Sequence, residues 1–344
     1  MKTKVLITGG SGTVGRELIQ LLLKDSTFQI TCFDLKSRKN ILFYESIDSK
    51  ANIIYGDIRN FDDVQKAIQN QDFVIHLAAI IPPLADQHPV LAHQVNVLGT
   101  GNIINAIEKS IHAPFLIYSS SVSVYGDRVK NPYISVQDTL CPSDRDEYGK
   151  TKVEAERMIQ HAKIDWTIFR LTAIMGYRNH KMGSIMFHMP LDTPIELCTP
   201  KDTALALRNA LDHAPALKGN IYNLSGGERC RIDYRSFLER SFQCYGLGKF
   251  NFPEQAFATR NFHCGYFTDG DQLEDILHFR SDTIETYFRN LEQSIPWYER
   301  WGAWLFSPII KRVLLCSSEP LRALRKHNFC EIQHFFGKSL NLLF

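Results

Sequence analysis

Short apolar runs alternate with stretches of helical spacing along the first half of the chain. Val5-Leu6-Ile7 predicts a buried strand, and Val14, Leu18, Leu21 and Leu22 then recur at the period of a helix. Gln29 to Phe33 predicts a second strand ending at Asp34, and Asn52 to Tyr55 a third. Phe61 to Ile68 has helical spacing, Phe73 to Leu77 predicts a fourth strand, and Val90 to Ile107 a long helix. Phe115 to Tyr118 predicts a fifth strand, Glu147 to His161 a helix, and Trp166 to Leu171 a sixth strand. Strand, helix, strand in this rhythm implies a parallel sheet covered on both faces. Right-handed crossovers make such a sheet doubly wound, with its ligand at the carboxyl ends of the strands.

The second half reads differently. Ile221 to Leu224 predicts a strand turned by Gly226-Gly227, Tyr234 to Tyr245 a helix, and Leu273 to Leu277 and Thr283 to Leu291 two short helices. These suit a smaller domain beside the sheet, with substrate in the cleft between the two. The expected division is residues 1–176 for the sheet domain, 177–295 for a substrate-binding region and 296–344 for a helical tail. In the tail Trp297, Trp301 and Trp304 fall at i, i+4 and i+7, followed by Leu305, Ile309 and Val313; Pro308 and Pro320 break it into short helices. Seven Lys/Arg stand there against three Glu. A basic helix with an aromatic face can lie on a membrane surface as a peripheral contact. It can equally dock on its own protein, or on a second subunit in a homodimer.

Composition excludes several classes. Lys and Arg number 39 against 37 Asp and Glu, a net charge of +2, which gives no argument for nucleic acid. No run approaches the roughly 18 apolar residues of a membrane span. The first strand begins almost at Met1, which leaves no room for a signal peptide before it. The eight cysteines form no C-x-x-C pair, so neither a zinc site nor a redox pair is signalled. They suit the free thiols of a cytoplasmic protein.

The candidate chemistry lies where predicted strands end. Thr8-Gly9-Gly10-Ser11-Gly12-Thr13-Val14-Gly15 joins the first strand to the first helix. Gly9 and Gly12 permit a tight turn and bare backbone against a pyrophosphate, Gly15 permits close helix–sheet packing, and the helix N-terminus favours an anion. This is the turn of a Rossmann-type fold. Asp34, 19 residues after Gly15, ends the second strand, where a carboxylate accepts both ribose hydroxyls and repels a 2′-phosphate. That favours NAD over NADP, although Arg38 and Lys39 follow closely. Tyr148 and Lys152 form a Y-x-x-x-K on one helix face. A nearby ammonium favours the phenolate, burial alone the phenol, so Tyr148 is the candidate acid/base for an alcohol–carbonyl pair. Ser119-Ser120-Ser121 begins as the fifth strand ends, where a hydroxyl can hold the same substrate oxygen. His76 reads as a packed strand histidine.

These motifs resemble the extended short-chain dehydrogenases/reductases, in their NAD-dependent epimerase/dehydratase branch. T-G-G-S-G-T-V-G at Thr8–Gly15, G-D-I at Gly56–Ile58, H-L-A-A at His76–Ala79, N-V-L-G-T-G-N at Asn96–Asn102, S-S-S-V-S-V-Y-G at Ser119–Gly126 and Y-G-K-T-K at Tyr148–Lys152 occur in order. The resemblance runs clearly from Lys4 to about Gly176 and more loosely to about Gly227. It implies a cofactor site of Thr8, Gly9, Gly12, Thr13, Val14, Gly15, Asp34, Asp57, Ile58, Leu77, Ala78, Ala79, Asn96 and Ser119. Within that site Asp57 and Ile58 border the adenine, Leu77 to Ala79 line the way to the nicotinamide ribose, and Asn96 braces the central helix. It implies Ser121 as the catalytic serine, Tyr148 as acid/base, and Lys152 on the nicotinamide ribose, lowering the tyrosine pKa.

The chain also departs from that pattern. Phe169 to Tyr177 reads F-R-L-T-A-I-M-G-Y, without the asparagine and proline usual in sugar-nucleotide members. Thr199-Pro200-Lys201-Asp202-Thr203-Ala204 replaces the usual H-V-D-D-x-A, with Thr199 or Asp202 suited to an N-cap. Ser121 is followed by Val122-Ser123 rather than an acidic pair, which disfavours dehydration. Tyr177 to Met189, with Arg178, His180, Lys181 and His188, is the expected substrate-facing segment. The expected activity is NAD-dependent oxidation or epimerisation at a hydroxyl of a small-molecule substrate, a sugar or nucleotide sugar. The alternatives are a dehydrogenase of a hydrophobic, lipid-like alcohol at a membrane surface, and a non-catalytic NAD sensor; retention of Tyr148 and Lys152 argues against the sensor.

Overall fold

Alternate residues of β1 (Thr3–Thr8) feed two different cores. Val5 and Ile7 pack with Leu18 and Leu22 of the helix Thr13–Leu23, while Leu6 joins Val74, Leu116 and Ile103 on the opposite face. A strand apolar on both faces has to sit inside a two-sided sheet. The computed structural model describes residues 2–47, 51–177 and 182–337. Its further strands are β2 (Phe28–Asp34), β3 (Ala51–Tyr55), β4 (Phe73–His76), β5 (Phe115–Ser121), β6 (Tyr133–Ile134), β7 (Trp166–Leu171), β8 (Ala173–Ile174), β9 (Pro194–Cys198), β10 (Ile221–Leu224), β11 (Arg231–Asp233) and β12 (Tyr266–Phe267).

Seven parallel strands in the order β3-β2-β1-β4-β5-β7-β10 form the large sheet. The order reverses between β1 and β4, and a crevice opens at the carboxyl ends of strands at such a switch point. The helices Thr13–Leu23 and Pro200–Asp212 cover one face through Leu18, Leu22, Ala204, Leu207 and Leu211. The helices Phe61–Ile68, Gly99–Glu108 and Glu147–His161 cover the other through Val64, Ile103, Ile107, Ala155 and Ile159.

Three local expectations change. β5 runs on through Ser119, Ser120 and Ser121, whose backbone pairs with Phe169, Arg170 and Leu171 of β7, so these serines lie within the strand. The long helix is not uniform: a π-helical turn occupies Gln94–Leu98, between Pro89–His93 and Gly99–Glu108. β10, expected in the smaller domain, extends the large sheet against β7 instead. Its buried Leu224 joins the core under Pro200–Asp212.

A second core lies beyond the sheet and is rich in aromatic rings. Phe187, Tyr234, Phe237, Phe242, Phe257, Tyr287 and Phe288 pack with Ile195 and Leu197 of β9, which sits between β8 and β11 in a small three-stranded sheet. β12 pairs with β6. The tail forms the helices Trp297–Leu305, Ser307–Cys316, Glu319–Arg325 and Phe329–Phe336, so the breaks at Pro308 and Pro320 are found where each proline enters a first helical turn. The last of them docks through Ile332, Phe335 and Phe336 against Ala258 and Ala323.

Candidate active site

The glycine turn leaves β1 with Gly9 at φ +69°, a left-handed conformation that a side chain resists. A Cβ at Gly9 would stand 2.8 Å from the backbone of Ala78, so the turn and the segment after β4 meet backbone to backbone. At Gly15 a Cβ would fall 2.6 Å from the Gly10 carbonyl oxygen. Gly12 is the N-cap of the following helix and has no side chain with which to cover it. The result is a helix N-terminus approached by bare backbone, which fits a dinucleotide pyrophosphate.

Asp34 binds this turn to the end of β2. Its carboxylate accepts from Ser11 N–H at 3.1 Å, Tyr44 Oη at 3.1 Å, Asn40 Nδ2 at 3.1 Å and Leu35 N–H at 3.0 Å. Four donors, two on each oxygen, fix its orientation beside the glycines. Arg16 does not compete for this place. Its Nε donates to Ser11 O at 2.7 Å, and its guanidinium lies 4.0 Å from the Phe43 ring centroid. Arg38 and Lys39 line an open pocket with Arg16 and Phe43.

Several residues of the expected cofactor set act on the protein itself. Thr8 is fully buried; its hydroxyl accepts from Ala78 N–H and bonds His76 Nδ1 at 2.7 Å. His76 Nε2 meets Thr100 Oγ1 at 3.0 Å, and Thr100 gives its own proton to Asn96 O at 2.6 Å. His76 therefore donates from Nε2 and accepts at Nδ1, a neutral ring. Burial, and then the charge of Lys152, pushes its pKa down to about 3. Asn96, in the π-helical turn, accepts from Ile80 N–H at 2.8 Å and donates to Ile80 O and to Thr151 Oγ1. It thereby clamps the segment after β4 to the helix Glu147–His161. Asp57 is paired with Arg59, and Ile58 packs into the core beneath Gly99.

Ser121, Tyr148 and Lys152 come together at the carboxyl edge of the sheet. Ser121 Oγ accepts from Ser123 N–H at 3.2 Å, and the Ser121 side chain acts to lower the Tyr148 pKa. Lys152 is only 2% exposed; its Nζ donates to Ser119 O at 2.7 Å and stands 5.6 Å from the Tyr148 ring centroid. Burial pushes the Lys152 pKa down to about 7, against the pull of Glu156. Burial also pushes the Tyr148 phenol above its ordinary value, opposed by the neighbouring Ser121 hydroxyl. The shift of the phenol is thus upward, where the resemblance implies a lowering by Lys152.

The structure adds residues not singled out above. Tyr148, Lys152 and Glu156 follow each other at four-residue steps on one helix face, a spacing visible in the sequence. Glu156 is fully buried, accepts from Ser120 Oγ, and pairs with Arg170 Nη2 at 2.8 Å. Arg170 Nη1 reaches Tyr125 Oη at 2.8 Å, and Tyr125 donates to Asn223 on β10. This chain of bonds ties the edge strand to the helix Glu147–His161. Asp146 caps that helix, accepting from Gly149 N–H at 2.7 Å, and burial raises its pKa to about 6. His263, 3.8 Å from Asp146, is pushed down to about 4 by burial.

The expected substrate-facing segment divides. Arg178, His180 and Lys181 lie outside the described residues. Tyr177 accepts from Asn290 Nδ2 at 2.9 Å, and His188 turns to Glu319 of the tail at 2.9 Å rather than to the sheet edge. Thr199 is an N-cap, accepting from Asp202 N–H, and the Asp202 carboxylate accepts from Ser281 and Asp282 N–H.

A parallel sheet with a glycine turn at its switch point and a serine, tyrosine and lysine at its carboxyl edge defines a dinucleotide-binding protein of the Rossmann class. The sequence profile of the 3-beta hydroxysteroid dehydrogenase/isomerase family matches residues 6–168. D-erythronate dehydrogenase of Cupriavidus necator is 25% identical over 256 residues, 64% of this chain and 76% of that protein. N-acetyl-alpha-D-glucosaminyl-diphospho-ditrans,octacis-undecaprenol 4-epimerase of Escherichia coli O157:H7 is 34% identical over 187 residues, 52% of this chain and 51% of that one. Apart from the erythronate enzyme, the chain spans about half the length of such curated relatives. The crystal structure of UDP-glucuronic acid 4-epimerase from Bacillus cereus, with UDP-glucuronic acid and NAD, superposes at a TM-score of 0.69 with 21% identity. The match covers 85% of this chain and 100% of that one. Over residues 6–168 the chain is similar to the 3-beta hydroxysteroid dehydrogenase/isomerase family, and its fold is that of the NAD-bound epimerase structures.

Proposed function

We propose that this protein is an NAD-dependent oxidoreductase or epimerase acting on a hydroxyl of a sugar or nucleotide sugar, with Tyr148 as acid/base. The observation that carries this reading is the meeting of Ser121, Tyr148 and Lys152 beside the end of β5. NAD, when bound, supplies the hydride acceptor and a positive charge near the phenol. Ser121 holds the substrate oxygen with Tyr148, and Tyr148 takes the proton as the C–OH becomes a carbonyl. Lys152, when protonated, favours the phenolate over the phenol. Its Nζ is anchored on Ser119 O.

A second reading, oxidation of a hydrophobic alcohol, is favoured by the match to a hydroxysteroid dehydrogenase family over residues 6–168. One screen separates the two. NADH absorbance is followed with nucleotide sugars, free sugars and hydrophobic alcohols as substrates. Turnover confined to the sugar arms supports the first reading, and turnover confined to the alcohols replaces it. Purified protein that retains NAD through gel filtration and interconverts sugar epimers without net NADH points to the epimerase form.

A further inference from the structure

The tail helices Trp297–Leu305 and Ser307–Cys316 contain no buried residue. Their inner face, Ala303, Ile310 and Leu314, is partly buried against the aromatic second core. Their outer face is Trp297, Trp301, Trp304, Leu305, Ile309 and Val313, with exposures from 54% at Leu305 to 78% at Trp297. Trp301 and Trp304 adjoin each other, with ring centroids 6.2 Å apart. A patch of contiguous large apolar side chains on a soluble body marks an interaction surface.

Residue type and charge indicate what covers it. Three of the chain's four tryptophans lie on this face, and tryptophan concentrates at the headgroup level of bilayers. From Trp297 to Cys316 three cations stand against one carboxylate, Glu299. Arg312 is exposed, as are Arg325 and Lys326 on the next helix. A protein partner's interface core also favours tryptophan and arginine but is depleted in lysine, whereas anionic headgroups attract Arg312, Arg325 and Lys326 alike. Among the described residues no helix is long and apolar enough to cross a membrane. We propose that the two helices dock the protein on the surface of an anionic phospholipid bilayer, with the tryptophan face at headgroup depth. The proposal is independent of the reaction the active site performs.

The test uses the full-length protein with NAD, because the inner face and the last helix are packed on the body. Co-sedimentation is measured with vesicles of phosphatidylcholine containing roughly 30% phosphatidylglycerol, and with phosphatidylcholine alone. The expected result is binding to the anionic vesicles that weakens with salt, with a blue shift of tryptophan emission. The double variant Trp301→Ser/Trp304→Ser loses about ten-fold or more in vesicle affinity while its melting curve is retained. Three outcomes overturn the proposal: no sedimentation with either vesicle, undiminished binding by the double variant, or a dimer in analytical ultracentrifugation that the same variant dissociates. The last assigns the face to a second copy of the chain.

Discussion

Two helices carry aromatic and cationic residues at four-residue steps, Glu147–His161 with Tyr148 and Lys152, and Trp297–Leu305 with Trp297, Arg300, Trp301 and Trp304. In the first, Lys152 is 2% exposed, fixed on a strand carbonyl and shifted in pKa by its burial. In the second, the tryptophans face water and Arg300 makes an ion pair with Glu292 at 2.9 Å. Helical period determines which residues share a face. What that face meets depends on where the helix lies, and this decides whether the residues become chemistry or surface.

The sharpest way to break the comparison is at Tyr148. Tyr148→Phe removes the proton acceptor and should lower turnover by roughly 10²- to 10⁴-fold, with NAD affinity unchanged by fluorescence titration. A variant at the wild-type rate would remove Tyr148 from the mechanism. Gly15→Ala comes next, because its Cβ has the Gly10 carbonyl 2.6 Å away. We expect a stability loss of about 1–3 kcal/mol in urea and weaker NAD binding. An unchanged midpoint would mean that the helix can shift freely against the turn. Asp34→Asn should weaken NAD by about ten-fold and narrow the preference over NADP. An unaltered NAD to NADP ratio counts against its ribose role.

Asp146 tests the helix Glu147–His161 through pH. Its pKa is raised to about 6, so the folded state holds a proton that the unfolded chain releases near pH 4. The stability this group contributes is complete below about pH 4 and is lost as pH rises toward 6. Asp146→Asn keeps an acceptor for Gly149 N–H without a charge to bury. Its stability relative to wild type should therefore rise by on the order of 1–2 kcal/mol between pH 4 and 6, then level off, as read from denaturant midpoints. A flat difference across that range would show Asp146 to be well solvated. The smallest effect is expected at Trp301→Ala, within about 0.5 kcal/mol of wild type, because that ring contributes little to the fold. A larger loss would mean that the tail face is packed.

Much of the site was legible because its parts are local. The glycine turn, the capped helix Glu147–His161 and the strand Trp166–Leu171 each carry their reason within a few residues. Glu156 reads as an ordinary charged residue until β5 and β7 pair and bring it into one buried network with Ser120, Arg170 and Tyr125. His188 was placed at the substrate because its neighbours are basic, yet its partner, Glu319, is 131 residues away.

The pattern of apolar positions by itself determined a parallel sheet, since burial on two faces leaves few arrangements for such runs. It also determined which side chains share a helix face. Only the tertiary structure decided that β10 closes the edge of the large sheet, that the three serines lie within β5, and that Lys152 is buried while the tail tryptophans are not. Periodicity is a property of one segment. Strand partners, burial and the pKa shifts that follow from it belong to contacts between segments far apart in the chain.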